Sequence, residues 1–260
     1  MKKKVMAVAL VVIILAVTVG GTLAWFTDSD AIKNIFTVGS VKVEQIETGK
    51  DGGAFQQNQP LIPVVDESDA MNDPNFIVKK VTATNKGRNP AYVRTSIAVP
   101  SALVGYVDLV VNANQNGSSW KWDFTTTDVD VNGENYVVYT YYYDKVVEKY
   151  DAASDALDTT TVLLEGVYLK ADVDLQDNPA TTSTNLELCR RNADGSCTFT
   201  GVELTDADGK MLVDPVTLDL AATIDVLVAT QAVQSEGFAG AKAALDAAFG
   251  VTLPDFAALD

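Results

Sequence analysis

The chain has 260 residues, with 35 acids against 19 Lys and Arg, a formal net charge of −16, two cysteines and no histidine. The acid excess argues against nucleic acid and anionic lipid headgroups as partners, since both are bound by clustered cations, and its plainest effect is solubility and repulsion between copies. Without histidine, no Ser-His-Asp or Cys-His arrangement and no HExxH zinc helix can be written, which removes most hydrolases.

At the amino end, Met1-Lys2-Lys3-Lys4 forms a positive segment and Val5 to Val19 an uninterrupted apolar run. Thr22-Leu23-Ala24 then places small residues at −3 and −1 of a cleavage site between Ala24 and Trp25. Residues 1–24 read as a secretory signal peptide. An uncleaved anchor is the alternative, because the uncharged run to Thr27 is just long enough to cross a hydrocarbon core of about 30 Å. Gly20-Gly21, and the lack of a basic cluster after Phe26, favour removal. Cleavage takes away three lysines, moving the charge from −16 to −19, and limits membrane contact to the stage before cleavage.

Residues 25–260 then form a single domain, opening with a strand or leader over 25–46. Val41-Lys42-Val43-Glu44 alternates with a period of two, as a strand does. The stretch 49–73 is rich in Gly, Asn, Asp and Pro and reads as a long surface connection. "FIVKKVTATNKGRNP" and "AYVRTSIAVP" read as two strands in a hairpin-like pair. In the second, Ala91, Val93, Ile97 and Val99 lie on a buried face, with Tyr92, Arg94 and Ser96 opposite. Further strands are expected over 104–111, 120–126, 136–147, 162–173, 197–204 and 224–234. Near the end, Phe238, Ala241, Leu245, Ala248 and Phe249 recur at helical spacing, predicting a helix at about 236–249 with Ser235 as its cap. Many strands without a βαβ rhythm predict a mainly β fold, an antiparallel β-sandwich or jelly roll with a short C-terminal helix.

Asp128, Asp130, Asn132 and Gly133 fit the opening of an EF-hand loop, but Tyr139 stands where a bidentate Glu is required. Asn132-Gly133 between two strand-like runs is instead a type I′ hairpin signal. Tyr139, Tyr141 and Tyr143 share one strand face, with Val138, Thr140 and Tyr142 on the other. Ordinary sheet packing accounts for them; an exposed tyrosine ladder, or Trp120 and Trp122, could also bind a glycan or a neighbouring subunit. Cys189 and Cys197 flank the turn-forming Asn192-Ala193-Asp194-Gly195, and export favours a disulfide between them. Two free thiols or a half-filled metal site are the alternatives. No catalytic, cofactor-binding or metal site is assigned.

The order of basic segment, apolar run, "GGTLAWFTD", short polar gap and "NIFTVGSVKVE" resembles the amino end of exported proteins processed by the SipW-type signal peptidase, the TasA/camelysin family of extracellular matrix fibre proteins. The family's aromatic stretch past cleavage falls on Trp25, Phe26 and Asp28, and its F-x-x-G lead-in to a strand on Phe36 and Gly39. "TNKGRNPAYVRTSIAVP" is similar to a strand region found in such proteins, and "AVQSEGF…AALDAAFG" to the ending of uncharacterised members. The resemblance implies a jelly-roll core and fibres in which each subunit gives its amino-terminal strand to the next. Camelysin is described as a metalloprotease, from which this chain departs in having no histidine. The expected function is a secreted structural protein of the bacterial cell surface or biofilm matrix, with itself, other matrix proteins and the signal peptidase as partners. Trp25, Phe26, Ile32, Ile35 and Phe36 are the expected anchors of an assembly strand. A monomeric adhesin or ligand-binding module is the alternative.

Overall fold

The computed structural model describes residues 27–31, 34–35, 41–56, 59, 62–181, 186–203 and 226–259. It is mainly β, and every ladder between its named strands is antiparallel.

One layer is a six-stranded sheet in the order β2 (Asn34–Ile35), β1 (Thr27–Ala31), β15 (Leu227–Gln234), β6 (Ala91–Pro100), β9 (Glu134–Tyr143), β8 (Trp120–Val131). Facing it are two three-stranded sheets: β10 (Asp158–Thr159), β5 (Lys80–Asn85), β3 (Val43–Thr48), and β4 (Ile77–Val78), β11 (Leu164–Leu169), β7 (Val107–Val111). Leu163 N–H donates to the Val81 carbonyl at 2.9 Å and Lys79 N–H to the Glu165 carbonyl at 3.1 Å, joining the two small sheets into one layer. Between the layers, Val43, Val81 and Ala83 meet Val93, Ile97, Val228 and Ala232 in a dry core, as strands with one apolar face require. A meander of β12 (Val173–Asp177), β13 (Leu186–Arg191) and β14 (Cys197–Glu203) closes one side, burying Val173 and Leu188 against Val99, Leu103 and Val107.

Several expectations need correction. The strands before and after Pro90 do not form a hairpin: β5 lies in one layer and β6 in the other. The connection is a corner built on the buried Asn85. Its amide donates to the Asn89 and Val147 carbonyls at 2.9 and 3.1 Å, and its oxygen accepts from Gly87 N–H at 2.8 Å, so the chain is steered across the sandwich. Nor is β6 half-buried, because its second face is covered by helix α1 (Ala241–Phe249) and the segment that follows it. Ala241, Ala244 and Leu245 pack on Tyr92, Tyr142 and Val233. The helix starts later than expected and is not capped by Ser235: its N-cap is Gly240, without a side-chain hydrogen bond. The run 162–173 divides into β11 and β12, separated by a turn in which Val173 N–H donates to the Lys170 carbonyl. Within 49–73 the chain forms a 3₁₀ helix, Glu67–Asn72, whose start is capped by the Asp66 carboxylate. Asn132 and Gly133 join β8 to β9 with φ of 53° and 90°, the positive values a type I′ turn demands.

Candidate functional site

The site is the edge of the six-stranded sheet where the amino-terminal strand lies. β1 has the sequence TDSDA, a poor strand former with two acids and no large apolar residue. It is held by its partner: Thr27 lies opposite Val233, Asp28 opposite Ala232, and so on to Ala31 opposite Ala229. β2 adds two residues outside it, with Ile35 opposite Asp30. The far side of β15 pairs with β6 over its whole length, so β1 satisfies main-chain groups that β15 would otherwise present as an open edge.

That edge is braced from the opposite layer. Gln45 on β3 is buried and reaches β15, donating to the Val228 carbonyl at 3.1 Å and accepting from the Thr230 hydroxyl at 2.8 Å. The Thr230 and Thr95 hydroxyls are 3.0 Å apart, extending the chain of bonds to β6. Lys79, also buried, donates to the Val226 carbonyl at 2.9 Å, pairs with Glu47 at 3.1 Å and lies over the Phe55 ring. These bonds set the position and register of β15 independently of β1, because buried polar groups tolerate few alternative arrangements.

On the outer face, Arg94 is 1% exposed and forms a second brace. Its guanidinium donates twice to Gln231 Oε1, at 3.2 and 2.7 Å, and to the carbonyls of Gly250 and Thr252, both at 2.7 Å. The rings of Phe124 and Phe249 flank it. Burial lowers its pKa, opposed by the charges of Asp123 and Asp246. The cation also suits the carboxyl end of α1, where helix carbonyls leave partial negative charge. Lys242 on α1 bonds Asp123 at 2.7 Å and Asp246 at 3.1 Å, and its pKa is raised chiefly by the bond to Asp123.

Of the residues singled out from sequence, Ala24, Trp25, Phe26, Ile32 and Phe36 lie outside the described residues, while Ile35 sits in β2. Cys189 and Cys197 are bonded, with Cα atoms 5.6 Å apart, and tie β13 to β14 diagonally across the ladder. Trp120 and Trp122 part company: the first is 1% exposed with its ring tilted against Tyr143, the second is 51% exposed. Sequence reasoning missed the burial of Arg94, Lys79 and Gln45. Their only trace was a charged or amide side chain inside an alternating strand, a pattern that solvent-facing positions share.

A family model described as camelysin metallo-endopeptidase matches residues 1–49. No curated protein and no solved structure matches the chain. The matched stretch takes in β1, β2 and β3, and therefore the strand at the sheet edge. The peptidase named in that description implies a metal, and the described residues do not fit one. The chain has no histidine, and among the described residues no group of three or more Cys, Asp or Glu could hold an ion. No helix among the described residues is long and apolar enough to cross a membrane.

Proposed function

We propose that the chain is a secreted structural protein of the bacterial cell surface or extracellular matrix that polymerises through its amino-terminal strand. The observation that carries this reading is the seat of β1. A short, polar strand from the very start of the described chain closes the edge of a sheet whose receiving strand is braced by other bonds. Such a strand can be given by a neighbour in the same register, with Trp25, Phe26, Ile32, Ile35 and Phe36 as additional anchors. The match to the camelysin family over residues 1–49 supports export and an amino end suited to assembly. Removal of residues 1–24 by a signal peptidase would free that end.

The test compares a chain starting at Trp25 with one starting at Val41 by negative-stain microscopy and sedimentation. Fibres are expected from the first and monomers from the second. Thr27 and Val233 are register partners, so Thr27→Cys with Val233→Cys, oxidised in dilute solution and isolated as the internally bridged monomer, should hold β1 in its own subunit and block fibres until reductant is added. Equal assembly by both chains, or by the locked form, would sink the proposal. Monomers from both would favour a monomeric adhesin.

A further inference from the structure

Independently of assembly, one side of the sandwich carries a surface that no described residue covers. β7 is the last strand of its small sheet, while the large sheet continues past it through β9 to β8, so the inward-pointing side chains of that last pair lie at the margin of the core, with Tyr141 and Tyr139 half-buried against it and Trp122 exposed. The transition runs along the ladder. Trp120 opposite Tyr143 is buried, and Trp122 opposite Tyr141 comes next. After a bulge at Asp123, Thr125 lies opposite Tyr139 and is exposed. The bulge turns both Asp123 and Phe124 to the outer face, beneath α1, where they meet Lys242 and Arg94. It thereby keeps charge off the inner face.

What remains is a ledge of Trp122, Tyr141, Tyr139 and Thr125. Trp122 Nε1–H reaches Thr125 Oγ1 at 3.4 Å, laying the indole along the strand, and Trp122 N–H donates to Asn114 Oδ1 at 3.2 Å. Neither tyrosine hydroxyl takes part in a hydrogen bond among the described residues. The charge felt at Tyr139 is that of Asp108, which is already engaged by Lys170 at 3.5 Å and by the Tyr168 hydroxyl at 3.2 Å.

We propose that this ledge is a binding site for a neutral pyranose sugar. Three observations narrow the occupant. The ledge is uncharged in a chain with 35 acids, so it complements neither an anionic nor a strongly cationic partner. β8 is an edge strand, but bulges at 122–124 and 126–129 break its line of main-chain groups, so a second chain cannot add a strand there. An aromatic face beside two tyrosine hydroxyls is what remains, and it suits a ring with apolar C–H faces and a polar rim.

The test titrates the processed protein with tetramers of β-1,4-linked glucose, β-1,4-linked N-acetylglucosamine and α-1,4-linked glucose, with heparin as the polyanion arm. Calorimetry and tryptophan emission are the readouts. At least one neutral tetramer should bind and shift the emission; Trp122→Ala should weaken it about tenfold or more and abolish the shift. Thr125→Lys places a charge at an exposed position beside the indole, so it should block binding with the melting temperature unchanged. It keeps the test valid if Trp122→Ala is poorly folded. Silence from all three tetramers, equal binding by Thr125→Lys, or tighter binding of heparin than of any tetramer would overturn the assignment. So would self-association of the wild-type protein that Trp122→Ala removes, which would give the ledge to a second copy.

Discussion

Replacing Arg94 by Met keeps most of the side chain's volume and removes its five donors. Four hydrogen bonds disappear, and Gln231 Oε1 and the part-buried carbonyls of Gly250 and Thr252 are left facing an apolar group. Each buried acceptor deprived of its partner costs about 1–3 kcal/mol, and removing one member of a buried charged cluster costs about 3–5 kcal/mol. The lost ring contacts with Phe124 and Phe249 act in the same direction, while relief from burying a cation acts against it. A net loss of about 3–5 kcal/mol is therefore expected, equivalent to a fall of about 6–20 °C in Tm for a chain of this size. Arg94→Lys keeps the charge but cannot fork to two carbonyls and Gln231 together, and should recover less than half of the loss. Urea unfolding gives the magnitude. Hydrogen exchange gives the location, since amides of α1 and residues 250–259 should lose protection before those of β6. A loss below about 1 kcal/mol, or uniform loss of protection across the large sheet, would refute the view that Arg94 fastens the carboxyl-terminal segment.

Gly166→Ala should destabilise by about 1–3 kcal/mol, since a Cβ there would overlap the Ile77 carbonyl and lie 2.6 Å from two Phe76 ring carbons; thermal melts check it. Replacing Cys189 and Cys197 by Ser should cost about 2.5 kcal/mol through the eight-residue separation of the bridge, and reductant should lower the wild-type Tm but not that of the variant. Burial and its neighbour Tyr139 push the Tyr141 phenol up to about 12, and burial with Asp108 does the same for Tyr168. The folded state therefore holds these protons longer than the unfolded chain. Stability from this source is complete below pH 10 and falls as pH rises towards 12; ultraviolet titration of the folded protein showing every tyrosine ionising near 10 would contradict it.

What the sequence made legible was local. Asn132-Gly133 fixes the β8–β9 hairpin because only a few residue types accept two consecutive positive φ angles, and the turn at 192–195 brings Cys189 and Cys197 together without help from the rest of the chain. Period two in "AYVRTSIAVP" identified a strand and its inner face. It could not show that α1 covers the other face, because amphipathic alternation reports which side chains differ and not what lies against them. The same limit explains the false hairpin at Pro90, where turn-forming residues serve a crossing between layers as well as a reversal within one. At the proposed assembly edge, nothing in TDSDA marks a strand. Its conformation is imposed by β15, far away in the chain. The proposed sugar ledge was half visible, as aromatics on β8 and β9, but the Asp123 bulge that keeps charge off it was not.

The pairing of β1 with β15 joins the earliest described strand to the latest. A chain leaving the cell amino end first must wait for nearly all of its length to cross before β15 exists to receive β1, and closing so long a loop is slow. If the chain is exported as proposed, β1 would wait outside the cell during that interval, and any neighbour already emerged in full would offer it a finished edge. Under the proposed export and assembly, a young subunit's first strand would thus meet an older subunit before its own, so that crowding at the exit site, rather than affinity alone, would govern whether chains close upon themselves or join.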